Sequence, residues 1–401
     1  MSNESPEVIG MDMKLTKAES KTFIELLEEV PEYRKGNAIR YPLSEILFLG
    51  IFAILCGANT YTGMALFGEI HKEELRRYLP LKKGIPSHDV FGDVFSRVDQ
   101  NAVQECFRIF IERFRKSGEP IDKDTVVALD GKTVKKSGNK EHKAAHIETA
   151  YVSDLQLVLG QVATEEKSNE ITAIPALLDL LMLPQCTVTI DAMGTQTAIA
   201  EKIRDKGADY ILAVKGNQPT LEEDIALYAK TDVMTADTKE MQAENRYAVT
   251  TDKNHGRIEK RECWLFDSID WLNERHNWRD LRGVAVIRST RQNLQTNEKT
   301  IAIRYYIYSH QDMTAERFLK LQRKHWGIEN NLHWYLDCCF HEDGMHVRLG
   351  HAAIILNAFR KLCLQMLKAD TSVKGSLTEK RQRCAWSFDF ACSIVENWVN
   401  A

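Results

Sequence analysis

Val126-Val127-Ala128-Leu129-Asp130-Gly131 and Val188-Thr189-Ile190-Asp191-Ala192 decide the fold. Each has the length and β-branched content of a buried strand, and each runs out at an aspartate. Such strands belong to sheets covered by helices, and in open α/β sheets ligands bind at the carboxyl-terminal strand edge. Both aspartates therefore stand where a site is expected. Further extended runs at 125–130, 146–153, 155–163, 186–190 and 209–214 are separated, after a hairpin at Ser153-Asp154, by helical segments near 170–181 and 195–206, with another helix at 219–232. That order predicts a mixed sheet with helices on its faces, an α/β core.

Working outward, residues 14–118 read as helices throughout, with Phe23, Leu26, Leu27 and Val30 at helical spacing and Pro86-Ser87 opening a later helix. Ser117-Gly118-Glu119-Pro120 breaks that pattern. The core then occupies 121–232, and 233–310 reads as a β-rich insertion with strands at Arg246–Thr251, Arg257–Phe266, Gly283–Thr290 and Thr300–Ser309. A helix capped by Asp312 or Thr314 occupies 311–349 and carries Phe318, Leu321, Ile328, Leu332 and Tyr335 on one buried face. Glu329 lies one residue, or roughly 100°, from that face and can point toward the sheet. Residues 350–401 give helices at 351–368 and 386–399.

With 401 residues, 44% hydrophobic and 27% charged, the chain is of ordinary globular composition, which excludes fibrous and disordered classes. The longest apolar run, Ile46–Ala58, falls short of the roughly 18 residues of a spanning helix and reads as a buried core helix. Met1-Ser2-Asn3-Glu4 does not begin a secretory signal, so a cytoplasmic location is expected. Nine cysteines without a Cys-x-x-Cys pair predict reduced, packing thiols. A net charge of −4 leaves nucleic acid open, since a binder needs only a local basic surface.

Three acids from different surroundings, Asp130, Asp191 and Glu329, together suit hard divalent cations such as Mg²⁺ and hence metal-dependent phosphoryl transfer. Asp130-Gly131-Lys132-Thr133 is not a nucleotide-binding loop, because Val126 stands where that motif requires glycine. The basic stretch Lys132, Lys135, Lys136, Lys140, His142 and Lys143, with Glu141 its only acid, is either a solvated charge run or a steering surface for a polyanion. Asp191 could instead cap the next helix, and Glu329 could be a surface residue. His325, Glu329 and His333 share one helix face by i,i+4 spacing. The His-Glu-x-x-His spacing of zinc proteases is absent, and His341-Glu342-Asp343-Gly344-Met345-His346 misses it by one residue. Lys215 and Asn217 in Lys215-Gly216-Asn217-Gln218 could meet a phosphate or form a simple turn, and His255 and Arg257 belong to a basic strand pair or its turn.

The runs Ala128–Thr133, Glu166–Pro175, Thr189–Gly194, Ala213–Gln218 and His325-Trp326-Gly327-Ile328-Glu329-Asn330 resemble the H-repeat-associated group of DDE insertion-sequence transposases, over about residues 20–370. The resemblance implies an RNase H-like core interrupted by a β-rich insertion, a helical transposase-associated N-terminal domain, and a catalytic, metal-binding triad of Asp130, Asp191 and Glu329. It implies two Mg²⁺ ions about 4 Å apart, replaceable by Mn²⁺, that serve cleavage at element ends and strand transfer into target DNA. The implied partners are double-stranded DNA, at element ends and target, and further copies of the chain as a homodimer or higher assembly on DNA, with nucleoid association there. Where many relatives in the wider superfamily carry Tyr, Arg and Lys around the glutamate, this sequence has Gln322, His325 and Leu336. Candidate DNA contacts are therefore Lys132, Lys135, Lys136, Lys215, Asn217, His255, Arg257, Arg323, Lys324, His325 and His333. Two rival readings are an RNase H-like nuclease without strand transfer and a transposase-derived DNA-binding protein without chemistry.

Overall fold

The computed structural model describes residues 21–36, 39–116, 122–139, 143–164, 170–183, 185–235, 237–254, 256–272 and 275–399. Ser117–Pro120, Lys140, Glu141, His142, residues 166–169 and His255 lie outside the described residues.

Helices α1 (Phe23–Glu28), α2 (Leu43–Leu55), α3 (Tyr61–Ile70), α4 (Lys72–Leu75), α5 (His88–Arg97) and α6 (Gln100–Lys116) come first. Strands β1 (Val126–Thr133), β2 (His146–Val152) and β3 (Leu157–Thr164) follow, then α7 (Glu170–Asp179), β4 (Thr187–Ile190), α8 (Thr197–Asp205) and β5 (Asp209–Val214). After α9 (Pro219–Thr235) and α10 (Thr238–Ala243) come β6 (Tyr247–Asn254), β7 (Arg257–Phe266), β8 (Gly283–Asn293) and β9 (Lys299–Tyr308). The chain closes with α11 (Ala315–His325), a π-wound turn Glu329–His333, α12 (Trp334–Cys338), α13 (Ala352–Ala369), α14 (Leu377–Trp386) and α15 (Phe388–Val399).

The nine strands form one sheet in the order β3-β2-β1-β4-β5-β9-β8-β7-β6. Strands β1, β4 and β5 are parallel, whereas β2 runs antiparallel to both β1 and β3. The first five strands thus have the order and directions of an RNase H-like sheet. Strand β9 pairs antiparallel with β5 and with β8, so the inserted strands continue the core sheet.

Three features depart from the sequence reading. Strand β1 runs three residues past Asp130, because its pairing with β2 continues to Thr133↔His146 after its pairing with β4 ends at Leu129↔Ile190. The helix expected over 311–349 is wound as a π turn at Glu329–His333, where the Trp334 N–H reaches back to the Glu329 carbonyl. Helices α10 and α14 arise where no helix was expected.

Alternation along the strands assigns the two faces. Val127, Leu129, Val188 and Ile190 pack beneath α7 and α8 with Ile174, Leu177, Ile199 and Ile203. The other face presents Val126 to Phe318 and Leu321 of α11, and Ala128 to Ile328, Leu332 and Leu336 of the following helical turns. The next residue on that row is Asp130. The helix carrying Glu329 therefore covers the face onto which Asp130 projects.

A larger core joins the two ends of the chain. Every residue of α2 is buried, as its apolar run requires, and aromatic contacts Phe95–Phe359, Phe110–Trp398 and Phe52–Phe388 link the first helices to α13 and α15. Buried Arg381 donates to the carbonyl of Ile54 at 2.9 Å, to Asn59 Oδ1 at 3.0 Å and to the carbonyl of Cys339, with its guanidinium 4.4 Å from the Phe340 ring centroid. Arg381→Ala should leave those acceptors unpaired and cost about 3 kcal/mol, read as a lower urea midpoint; an unchanged midpoint would refute this account. No helix among the described residues is long and apolar enough to cross a membrane.

Candidate active site

The Leu129↔Ile190 register sets Asp130 and Asp191 side by side, each one residue beyond the last parallel pair. Both follow rows on the same face, Val126-Ala128-Asp130 and Thr187-Thr189-Asp191. From the opposite wall the π turn lowers Glu329 and His333 onto Asp130. Ligand atoms of Asp130, Glu329 and His333 lie within 4.8 Å of one another. His333 Nδ1 is 3.3 Å from Asp130 Oδ2 and 3.6 Å from Glu329 Oε2. Asp130, Asp191 and Glu329 line one cavity of about 470 Å³, with Lys215, His325 and Trp326.

Electrostatics divides the carboxylates. Burial opposes ionisation of Asp130, but the hydrogen bond and charge of His333, with the His325 charge and a Glu329 hydrogen bond, hold its carboxyl below the usual range. Asp191 is pushed up, first by lost solvation and then by the charges of Asp130 and Glu170. Although burial works against its charged form, His333 is raised by hydrogen bonds to Asp130 and Glu329. Burial lowers His325, whose Nδ1 lies 2.9 Å from Thr189 Oγ1. The Asp130 Oδ2 atom is buried, and it faces His333 Nδ1 at 3.3 Å. Two neighbouring acids that repel and an oxygen-rich donor set fit a divalent cation.

The helix-cap alternative for Asp191 is not what the chain uses. Helix α8 is capped at Gln196, and Asp191 Oδ1 instead accepts the Met193 N–H at 3.0 Å and the Gly194 N–H at 3.4 Å, folding its own loop. Asn217 also ties this loop, donating to the Ala192 and Thr195 carbonyls, so its amide is spent on structure. The basic stretch after Asp130 finds acids supplied from far along the chain. Lys132 lies in a pocket 2.8 Å from Asp337 and 3.6 Å from Asp343, and Lys135 lies 2.5 Å from Asp343. Lys136 and Lys215 are exposed. Arg257, Arg323 and Lys324 lie together in the groove that adjoins this cavity.

A second cluster, His146, Glu148 and Glu170, was missed in the sequence. It sits on the opposite sheet face, where β2 register places Glu148 against Gly131. His146 Nε2 lies 3.1 Å from Glu148 Oε1 and 2.9 Å from Glu170 Oε1, and all three residues are buried. A Cβ at residue 131 would overlap both Glu148 Oε1 and His146 Nε2, which explains the glycine after Asp130. The one available signal was His146 and Glu148 at i,i+2 on a strand.

Burial disfavours the His146 cation, but hydrogen bonds and charge from Glu148 and Glu170 outweigh it and push the imidazole up to about 9. An unfolded histidine titrates near about 6.5, so this stabilisation is complete below that pH and is lost as pH rises through about 9. The urea midpoint should therefore fall between about pH 7 and 10, and His146→Gln should lack that part of the fall. Identical pH profiles for parent and variant would contradict the assignment.

The RNase H-like sheet thus carries Asp130 and Asp191 where the parallel pairing of β1 with β4 ends, with Glu329 on the opposite wall. The transposase DDE domain model matches residues 121–366, and the DDE_Tnp_1-associated model matches residues 24–111. The chain belongs to the DDE transposase family. It is 37% identical to "H repeat-associated putative transposase YhhI" of Escherichia coli (strain K12), covering 94% of this chain and 98% of that protein. YbfL of the same organism matches at 37% with the same coverages. Among solved structures, the piggyBac transposase synaptic complex with hairpin DNA aligns over 96% of this chain and 78% of that one, at TM-score 0.44 and 9% identity.

Proposed function

We propose that the protein cleaves DNA at the ends of an insertion sequence and joins the freed ends to target DNA. The observation that supports this most is the convergence of Asp130, Asp191 and Glu329, from the end of the β1–β4 pairing and a π turn, on one cavity. These three carboxylates would hold the divalent cations. When bound, such ions supply Lewis-acid activation of the attacking oxygen and stabilise the leaving oxygen, with Mg²⁺ or Mn²⁺ suited to this donor set.

The chain's own residues prepare the site. His333, 3.3 Å from Asp130 and 3.6 Å from Glu329, would hold the two carboxylates in one geometry. His325 is held against β4 through Thr189, and burial lowers its imidazole pKa. Lys215 stands at the cavity wall, where it can meet a phosphate oxygen. In cleavage, a water oxygen bonds to phosphorus and the bond to the 3′-oxygen breaks, leaving a 3′-hydroxyl. In joining, that hydroxyl oxygen is the nucleophile and a target 3′-oxygen leaves. Both are in-line substitutions at phosphorus, so one site serves both. Bringing two ends together calls for at least two copies of the chain on DNA.

The test is incubation of the purified protein with the DNA flanking its own gene and Mg²⁺, followed by mapping of new 3′ ends and a joining assay with pre-nicked ends. Discrete ends that become joined are expected. Hydrolysed product alone would leave a nuclease, and no metal-dependent cleavage would overturn the reading.

A further inference from the structure

Beyond the cavity lies a larger groove of about 880 Å³, and the strand pattern explains it. On β7, Cys263 and Leu265 lie on the apolar face under α11, whereas Arg257, Glu259 and Arg261 continue the same row where the helix no longer covers it. On β8 the same change separates Ala285 and Ile287 from Ser289 and Arg291. The sheet face thus turns from core to charged floor, walled by the last turn of α11, Trp326 and the π turn.

The groove and the cavity are continuous. Arg304, Gln322 and Trp326 line both, and Asn330, next to Glu329, lines the groove. The Trp326 ring is exposed, with the Arg304 guanidinium 5.3 Å from its centroid, and forms the ridge between the two spaces. Eight Lys and Arg line the groove against four Asp and Glu. The acids act as braces: Glu259 holds Arg261 at 2.6 Å and Arg291 at 3.0 Å, and Asp252 holds Arg261 at 2.6 Å and Arg323 at 3.1 Å. Arg257 and Arg304 have no acidic partner among the described residues. Shared acids keep the guanidiniums in place while leaving the groove a surplus of positive charge.

We propose that this groove holds the backbone of a single DNA strand that continues from the scissile phosphate, past Trp326 and over the floor of β6–β8. The assignment rests on the reading that a phosphodiester is cut in the adjoining cavity. A polyanion matches the surplus of arginine, and about 880 Å³ accommodates a short run of one strand within the groove. Rigid guanidiniums suit phosphate oxygens, which they bind in a fork.

The experiment uses the full chain with Arg257→Ala, a truncation of an exposed side chain, and the double variant Arg257→Ala/Arg291→Ala, with folding checked by thermal melts. Fluorescence anisotropy over a range of KCl concentrations, in EDTA so that nothing is cleaved, compares a blunt duplex with the same duplex bearing a single-stranded arm. The expected result is a several-fold loss of affinity for the armed DNA, with the salt slope reduced by about 0.7 per arginine, and little change for the blunt duplex. Equal losses on both DNAs, or no loss on either, would overturn the proposal. The two readings fail separately: arm-specific losses without metal-dependent cleavage would retain the groove and remove the catalytic reading. Cleavage without arm-specific losses would do the reverse.

Discussion

Asp130→Asn and Glu329→Gln should each reduce metal-dependent DNA nicking by at least about 10³-fold, a loss at the top of the range for removing one preorganised group. Both substitutions keep the side chain's shape and remove its charge. Asp130 is the centre of the cluster: its Oδ2 is buried against His333, and its charge acts on Asp191, His325 and His333. DNA affinity should stay the same or rise, because each change removes negative charge facing phosphates. Asp130→Asn also removes the repulsion that lifts Asp191, so collapse of the fold is not the expected cause. Single-turnover nicking with end-containing DNA measures the first effect and a binding titration the second. A rate within tenfold of the parent for either variant would remove that residue from the chemistry.

Gly131→Ala is expected to be nearly as damaging, although it adds one methyl group and removes nothing. The new Cβ would enter the space held by Glu148 Oε1 and His146 Nε2. Neither atom yields easily, since His146 is held by Glu148, Glu170 and Thr133 in a buried site. Relief must come from β1 moving away from β2, which carries Asp130 with it. A stability loss of about 1–3 kcal/mol is expected, with nicking reduced more than tenfold. Gly344→Ala, where a Cβ meets nothing within 4 Å, is the control and should change neither. Full activity of Gly131→Ala would show that the cluster behind the sheet does not constrain Asp130.

Much of this arrangement was legible in the chain because short-range patterns encode it. Apolar β-branched runs marked β1 and β4, and Arg257–Phe266 was readable as a strand of the insertion. Thr314 was readable as a cap, and its side chain does accept from the Arg317 N–H. Long-range relations were not legible. The neutralisation of Lys132 by Asp337 and Asp343 depends on acids about 200 residues away, so the local sequence reads as a free basic stretch. The π turn has no compositional mark, since Glu329–His333 fits an α-helical pattern equally well. His146, Glu148 and Glu170 reach one another only through strand register and the seating of α7.

The core that unites the first and last helices has a bearing on how the molecule is made. Helix α2 emerges well before Phe359, Phe388 and Trp398, which close around its neighbourhood. Strand β5 likewise waits for β9, which follows only after the intervening strands have been made. Newly synthesised chain must carry a largely apolar helix and an unpaired strand edge until these later segments emerge, a period in which aggregation competes with folding. Cutting away the early helices would expose the partners that wait for them, so the two ends stand or fall as one cooperative unit.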